Sequence, residues 1–252
     1  MIGIIGFGRF GKLMARYLAE EFDVVVYHRT DKSAEINRTG ARSASLETVC
    51  RQDIVIPAVP ISVLQEVLKT IAPLLRRDCL VVDVCSVKEY PIRLMTDILP
   101  QTVSILATHP MFGPDSASDS LAERKICLCK VRIAETSYQN IKAYLASKGL
   151  SVIEATAREH DEQIASSLSL THFIGRTLSE YGAKQLDIDT EGYKRLLHIL
   201  EVVERDTWQL FLDMNRYNPY AKEKRIAFME VMRDINDRLD QGKQPPADLA
   251  ES

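Results

Sequence analysis

Ile2-Gly3-Ile4-Ile5-Gly6-Phe7-Gly8-Arg9-Phe10-Gly11 opens the chain and decides its fold. A short apolar run leads straight into the spacing Gly-x-Gly-x-x-Gly. Phe10, Leu13, Met14, Tyr17 and Leu18 then recur at helical spacing. Strand, glycine turn and helix in that order form the entrance to a βαβ unit. The first glycine permits the tight turn, the second lets a pyrophosphate approach the backbone, and the third lets the helix pack closely on the strand. Free N–H groups and the helix dipole hold the negative charge. Gly6, Phe7, Gly8, Arg9, Phe10 and Gly11 are therefore the candidate dinucleotide-binding residues; a glycine-rich structural turn is the alternative.

The same alternation continues through the first half of the chain. Strands are expected at 2–5, 24–27, 54–56, 80–83, 103–107, 125–131 and 152–153, and helices at 10–20, 61–75, 87–99 and 138–147. Such alternation argues for a parallel sheet covered on both faces. The composition changes near Ala155, after which three helical stretches follow at 158–184, 190–215 and 219–240. The expected fold is α/β, with a Rossmann-type domain over 1–154, an all-helical substrate and dimerisation domain over 155–242, and a flexible tail over 243–252. Leu196, Leu197, Ile199, Leu200, Val202 and Val203 run almost all round their helix, which calls for partners on every side. A homodimer through these helices is expected; a monomer folding them onto the sheet domain is the alternative.

Composition bounds the function. The 252 residues carry a formal net charge of -3, with 46% hydrophobic and 27% charged residues. No basic block suggests nucleic acid or a membrane surface, and no apolar run approaches the roughly 18 residues of a membrane span. The chain starts at once with a strand, leaving no room for a signal peptide. Cys50, Cys79, Cys85, Cys127 and Cys129 lie mostly in apolar strand-like segments, as reduced core residues of a cytoplasmic protein would. Their spacing matches no metal site.

Cofactor choice depends on the end of the second strand, where an acidic residue would bind the ribose hydroxyls of NAD. His28, Arg29 and Thr30 stand there instead. A guanidinium and a hydroxyl suit the 2′-phosphate of NADP, which is preferred over NAD. Asp31 comes slightly late and suits a cap for the next helix. Val59 and Pro60, between a strand and a helix, are placed along the cofactor's path.

Two further strand ends carry chemistry. In Asp83-Val84-Cys85-Ser86-Val87-Lys88, Ser86 sits at a strand-to-helix junction, where its hydroxyl either caps the helix or reaches a ligand. Lys88, in the first turn, is poorly placed relative to the helix dipole and hints at a nearby anion. In Thr108-His109-Pro110-Met111-Phe112-Gly113-Pro114-Asp115-Ser116, His109 ends a strand, where open α/β sheets bind ligands. An imidazole can accept a proton from an alcohol as hydride leaves the same carbon.

The Asp83–Lys88 and His109–Ser116 motifs resemble those of the prephenate/arogenate dehydrogenase family. A third block agrees: Glu159-His160-Asp161-Glu162-Gln163-Ile164-Ala165, followed by Leu170-Thr171-His172-Phe173. The stretch from Gly192 to Pro219 is also similar to the stand-alone arogenate enzymes of plants. The resemblance implies oxidative decarboxylation of arogenate or prephenate in tyrosine biosynthesis. It implies His109 as acceptor of the ring hydroxyl's proton, Ser86 as its orienting neighbour and His172 as a substrate contact. His160 is read as holding the helix entrance. One departure stands out: many prephenate-using members carry a side-chain-carboxylate-binding arginine near the position of Val202. Its loss leans toward arogenate, whose ammonium a carboxylate such as Glu201 or Asp206 could select. Other readings are a 6-phosphogluconate-like dehydrogenase, which would rely on a helical-region lysine, and a non-catalytic NADP-binding sensor.

Overall fold

The computed structural model describes residues 1–244; most of the tail expected at 243–252 lies outside the described residues. The chain divides into two compact units, one running from Met1 to Asp161 and the other starting at Glu162.

In the first unit, β1 (Ile2–Ile5), β2 (Val24–Tyr27), β3 (Arg42–Ser43), β4 (Ile54–Pro57), β5 (Leu80–Asp83), β6 (Ser104–Pro110), β7 (Lys125–Arg132) and β8 (Ser151–Glu154) form one sheet. Its order is β3-β2-β1-β4-β5-β6-β7-β8. Only the β6–β7 pairing is antiparallel. The strand order reverses between β1 and β4, which opens a crevice at their carboxyl ends. The central strands are near-continuous apolar runs because helices cover both faces. Helix α1 (Arg9–Ala19) buries Gly11, Leu13 and Ala15. Later in the unit, α4 (Ile61–Ile71) buries Ile61, Leu64, Leu68 and Ile71 at spacings of three and four residues.

The other helices of this unit are α2 (Ser33–Asn37), α3 (Leu46–Cys50), α5 (Glu89–Ile98) and α6 (Glu135–Ser147). The sequence pattern misses α2, β3 and α3: each is too short to show a period. It also starts α5 two residues early and ends β6 three residues short of Pro110. Helix α7 (Ala157–Ile164) begins in this unit. His160 and Asp161 hydrogen-bond residues of the sheet unit, which carries the unit beyond the composition change near Ala155.

The second unit is helical. A π-helical turn at Ala165–Ser169 leads into α8 (Leu170–Tyr181), followed by α9 (Glu191–Glu204), α10 (Trp208–Arg216) and α11 (Ala221–Asp240). The helix expected over 190–215 is thus two helices. Thr207 caps the second, its hydroxyl accepting from Leu210 N at 3.1 Å. Gly175 lets α8 approach α9 closely, since a Cβ there would lie 2.5 Å from a methyl of Val203.

A dinucleotide cradle beside a buried Asp–His–His chain

The glycine turn has the geometry its spacing implies. Gly6 has φ +105°, and a Cβ on it would meet the Ala58 carbonyl oxygen at 2.3 Å. A Cβ on Gly11 would lie as close to the Gly6 carbonyl oxygen. A Cβ at Gly8, in contrast, would meet nothing within 4 Å. The first and third glycines are thus required by the protein itself, while the second leaves open space before the α1 N-terminus. Gly8 is the N-cap of α1 and offers no side chain, so the first N–H groups of the helix point out unclaimed by a cap. That cradle fits a dinucleotide pyrophosphate. Phe7 is buried in the core, so only its backbone faces the turn. Val59 packs beside Gly6, and Pro60 is the N-cap of α4.

The second motif is tied to this turn. Arg9 pairs with Asp115 at 2.5 Å, and the Phe10 and Phe112 rings lie 6.3 Å apart. At the β2 end, His28 Nδ1 accepts from Thr30 N at 3.3 Å. Asp31 accepts from the amide and hydroxyl of Ser33 at 2.9 and 2.7 Å, which holds its carboxyl below the usual range. It is committed to the start of α2, as expected. Arg29 is exposed.

The candidate reactive residues lie on β6, on α7 and between β5 and α5. His109 is the penultimate residue of β6 and is buried. Its Nδ1 is 2.8 Å from Nε2 of His160, and His160 Nδ1 is 2.8 Å from Oδ1 of Asp161. Asp161 is anchored in turn by the amides of Lys88 and Glu89, at 2.7 and 2.9 Å. This chain fixes the tautomers. The carboxylate accepts, so His160 carries its proton on Nδ1; His160 Nε2 is then a lone pair, and His109 donates to it from Nδ1. The lone pair of His109 is left on Nε2. Burial first, then the His160 ring and the Lys88 cation, hold the His109 pKa well below 6.5. His109 is therefore neutral and ready to accept a proton.

Lys88 is fully buried, but its partners belong to the protein. Its ammonium pairs with Asp83 and donates to the Thr108 carbonyl at 2.5 Å. No ligand anion is needed to explain it. The N-terminus of α5 is satisfied by Asp161, so Ser86 is not its cap. The Ser86 hydroxyl is buried and has no hydrogen-bond partner. An orphaned hydroxyl at a strand end is unfavourable unless a ligand completes it.

Sequence reasoning gave His160 only the helix entrance; in the fold its ring also meets His109. Its signal was present: a His-Asp pair at a helix start, which can present an imidazole and a carboxylate to one neighbour. The partner, His109, lies fifty-one residues away and is visible only in the fold.

His172 lies in the helical unit, on α8. It is buried, with Nε2 3.6 Å from the Asp206 carboxylate and Nδ1 unpartnered. Burial holds its pKa below 6.5, against the upward pull of Asp206. Among the described residues, no group of three or more His, Cys, Asp or Glu side chains could hold a metal ion.

Residues 15–154 match the family described as "Prephenate dehydrogenase, nucleotide-binding domain". The chain belongs to the prephenate/arogenate dehydrogenase family. It is thus an oxidoreductase that uses NAD or NADP and acts on a small molecule. Residues 177–248 match a second family, "TYRAAT1-like, C-terminal domain". Arogenate dehydrogenase 2 of Arabidopsis thaliana is 34% identical over 95% of this chain and 71% of its own length. Arogenate dehydrogenase 1 of the same plant is 32% identical over 94% of this chain, which spans only 39% of that relative. Among solved structures, prephenate dehydrogenase of Aquifex aeolicus, in complex with hydroxyphenyl propionate and NAD+, superposes with a TM-score of 0.77 at 18% identity. That match covers 96% of this chain and 91% of the other. Arogenate dehydrogenase of Synechocystis gives 0.69 at 17% identity, over 96% and 92%. At these identities the structural likeness concerns the fold. No helix among the described residues is long and apolar enough to cross a membrane.

Proposed function

We propose that this chain catalyses the NADP-dependent oxidative decarboxylation of arogenate, with prephenate as the second candidate, in tyrosine biosynthesis. The observation that carries the proposal is the Asp161–His160–His109 chain, which leaves a lone pair on His109 Nε2; the orphaned Ser86 hydroxyl follows the end of the adjacent strand β5. NADP+, when bound, supplies the hydride acceptor. His109 accepts the ring hydroxyl's proton at Nε2 as the carbonyl forms, while His160, held by Asp161, keeps its Nδ1–H in place and the Nε2 lone pair aimed outward. Ser86 hydrogen-bonds the same hydroxyl and fixes its direction. The ring carboxylate then leaves as carbon dioxide, and its electron pair aromatises the ring to a phenolate. His109 returns the proton to that oxygen, so the protein ends each cycle as it began. A positioned general base is worth roughly 10²–10⁴-fold.

The preference for NADP rests on His28-Arg29-Thr30 and on Asp31 being engaged by Ser33. His172 takes the family's substrate-contacting role. For arogenate over prephenate, Asp206 is better supported than Glu201. Asp206 approaches His172, whereas Glu201 is largely exposed beside His198. The homodimer is supported by apolar residues left exposed in the helical unit: Val202, Leu212, Val231, Ile235 and Leu239. The five thiols are free and buried, which suits a reducing compartment such as the cytoplasm.

The test is an absorbance assay for reduced nicotinamide with arogenate and prephenate, each with NADP+ and NAD+. Turnover with arogenate and NADP+ is expected. Turnover with neither substrate would refute the reading, and tighter binding of NAD+ than NADP+ would refute the cofactor assignment.

A further inference from the structure

The segment that follows His109 runs along one face of α1. Arg9 and Arg16 stand two turns apart on that helix, as do Phe10 and Tyr17, so all four share a face. The Phe10 ring meets that of Phe112 at 6.3 Å, and Arg9 pairs with the Asp115 carboxylate at 2.5 Å. Tyr17 donates its hydroxyl proton to the Ala117 carbonyl at 2.9 Å, and Arg16 donates to the Ser118 carbonyl. Within the segment, the Ala117 amide donates to the Gly113 carbonyl, and the Ser116 hydroxyl accepts from the Gly113 amide, each at 3.0 Å. Ala117 is fully buried. Asp115 is thus held from both sides within reach of Arg9.

Of these four ties, the one made by Arg9 stands at the dinucleotide cradle. Arg9 is the first residue of α1. Side chains on a helix lean toward its N-terminus, which brings the guanidinium to the cradle end. A cation there opposes the helix dipole and calls for an anion. Two anions can answer: the Asp115 carboxylate, which the fold puts in place, and a dinucleotide pyrophosphate. We infer that Asp115 is a built-in competitor of the pyrophosphate for Arg9, and so sets how tightly the cofactor is held. The inference rests on the dinucleotide cradle alone. It is independent of the choice of substrate and of NADP over NAD, because both dinucleotides carry the pyrophosphate. Binding exchanges one anion for the other at a single guanidinium, and release lets Asp115 reclaim it. The competitor is intramolecular: the ties at Phe112, Ala117 and Ser118 keep its local concentration high. Its strength is modest, since the two side chains are 44% and 42% exposed and solvent screens the pair. Asp115 therefore tempers cofactor affinity without blocking the cradle.

The test measures the affinity of the full chain for NADP+ and for NAD+ by calorimetry. Four proteins are compared: wild type, Asp115→Asn, Arg9→Gln and the double variant. Asp115→Asn keeps the shape of the side chain and removes its charge. It is expected to tighten both cofactors about twofold to fivefold, the range of an exposed ion pair. Arg9→Gln should weaken both roughly 10-fold, a charge-assisted hydrogen bond less the pair given up for it. With Arg9→Gln already in place, Asp115→Asn should change neither affinity, because no cation is left to withhold. Unchanged or weaker binding in Asp115→Asn alone would overturn the inference; weaker binding would make Asp115 a partner that aims Arg9 at the phosphate. An equal gain in both backgrounds would overturn it as plain charge repulsion. A gain confined to NADP+ would overturn it by moving the effect to the 2′-phosphate. A wild-type chain that binds neither dinucleotide would refute the cradle itself, whereas turnover of arogenate tests the reaction separately.

Discussion

Replacing His160 with asparagine isolates what the Asp161–His160–His109 chain contributes. His160 Nε2 accepts the Nδ1–H of His109 at 2.8 Å, and both rings are buried. Asparagine is too short to reach that proton. His109 Nδ1–H is then orphaned, at a cost of about 1–3 kcal/mol, and the cost falls on the tautomer that carries its lone pair on Nε2. At 1.4 kcal/mol per factor of ten, kcat should fall roughly 10- to 100-fold, less than the ~10²–10⁴-fold worth of the base itself. His160→Gln can place an amide oxygen near the lost Nε2 and should recover part of the rate. The pH profile separates this role from a merely structural one. In the wild type, burial, the His160 ring and Lys88 hold His109 below 6.5, so its base form persists in mild acid. Activity is lost only as the pH falls through that depressed value, when solvent protonates Nε2. Without the His160 ring the pKa rises toward 6.5, and the acid limb of kcat should move to higher pH. Steady-state assays of nicotinamide reduction across the acid range measure both effects. A His160→Asn enzyme with kcat within about twofold of wild type and an unmoved acid limb would refute the reasoning.

The glycine turn predicts a contrast. Gly8→Ala should melt with the wild type, because a Cβ there meets no protein atom, yet bind NADP+ roughly 10- to 100-fold more weakly through lost phosphate hydrogen bonds. Gly6→Ala should lose at least about 1–3 kcal/mol in thermal unfolding, from the positive φ, before its clash with Ala58 is counted. Arg29→Ala should raise the KM for NADP+ roughly 10- to 100-fold and leave that for NAD+ unchanged, as kinetics with both cofactors would reveal. Ile235→Glu lies on the exposed stripe of α11. Burying an isoleucine is worth about 1.5–3 kcal/mol, and a twofold interface counts it twice. The Kd of the proposed dimer should therefore rise roughly 10²–10⁴-fold in sedimentation experiments.

Much of this was legible in the sequence because it is local. Strand, turn and helix sit within the first twenty residues, and each glycine's task follows from its place in the spacing. His109 and Ser86 could be found at strand ends because parallel sheets bring all their carboxyl ends to one side. Three kinds of feature were hidden. Elements of two to five residues, such as α2, β3 and α3, carry no period. The break at Thr207 was masked because apolar residues continue on both sides of it. The partners of buried polar groups depend on long-range pairing. Lys88 suggested an anion from its place at a helix start, yet its partners are Asp83, from a strand end close in sequence, and Thr108, twenty residues on.

The account rests on one imidazole nitrogen drawing a proton from the ring hydroxyl. Its most direct test is single-turnover hydride transfer in His109→Asn, with NADP+ and arogenate both at saturating concentration. The account predicts a rate roughly 10²–10⁴-fold below wild type, with cofactor affinity unchanged. Transfer at the wild-type rate would contradict it.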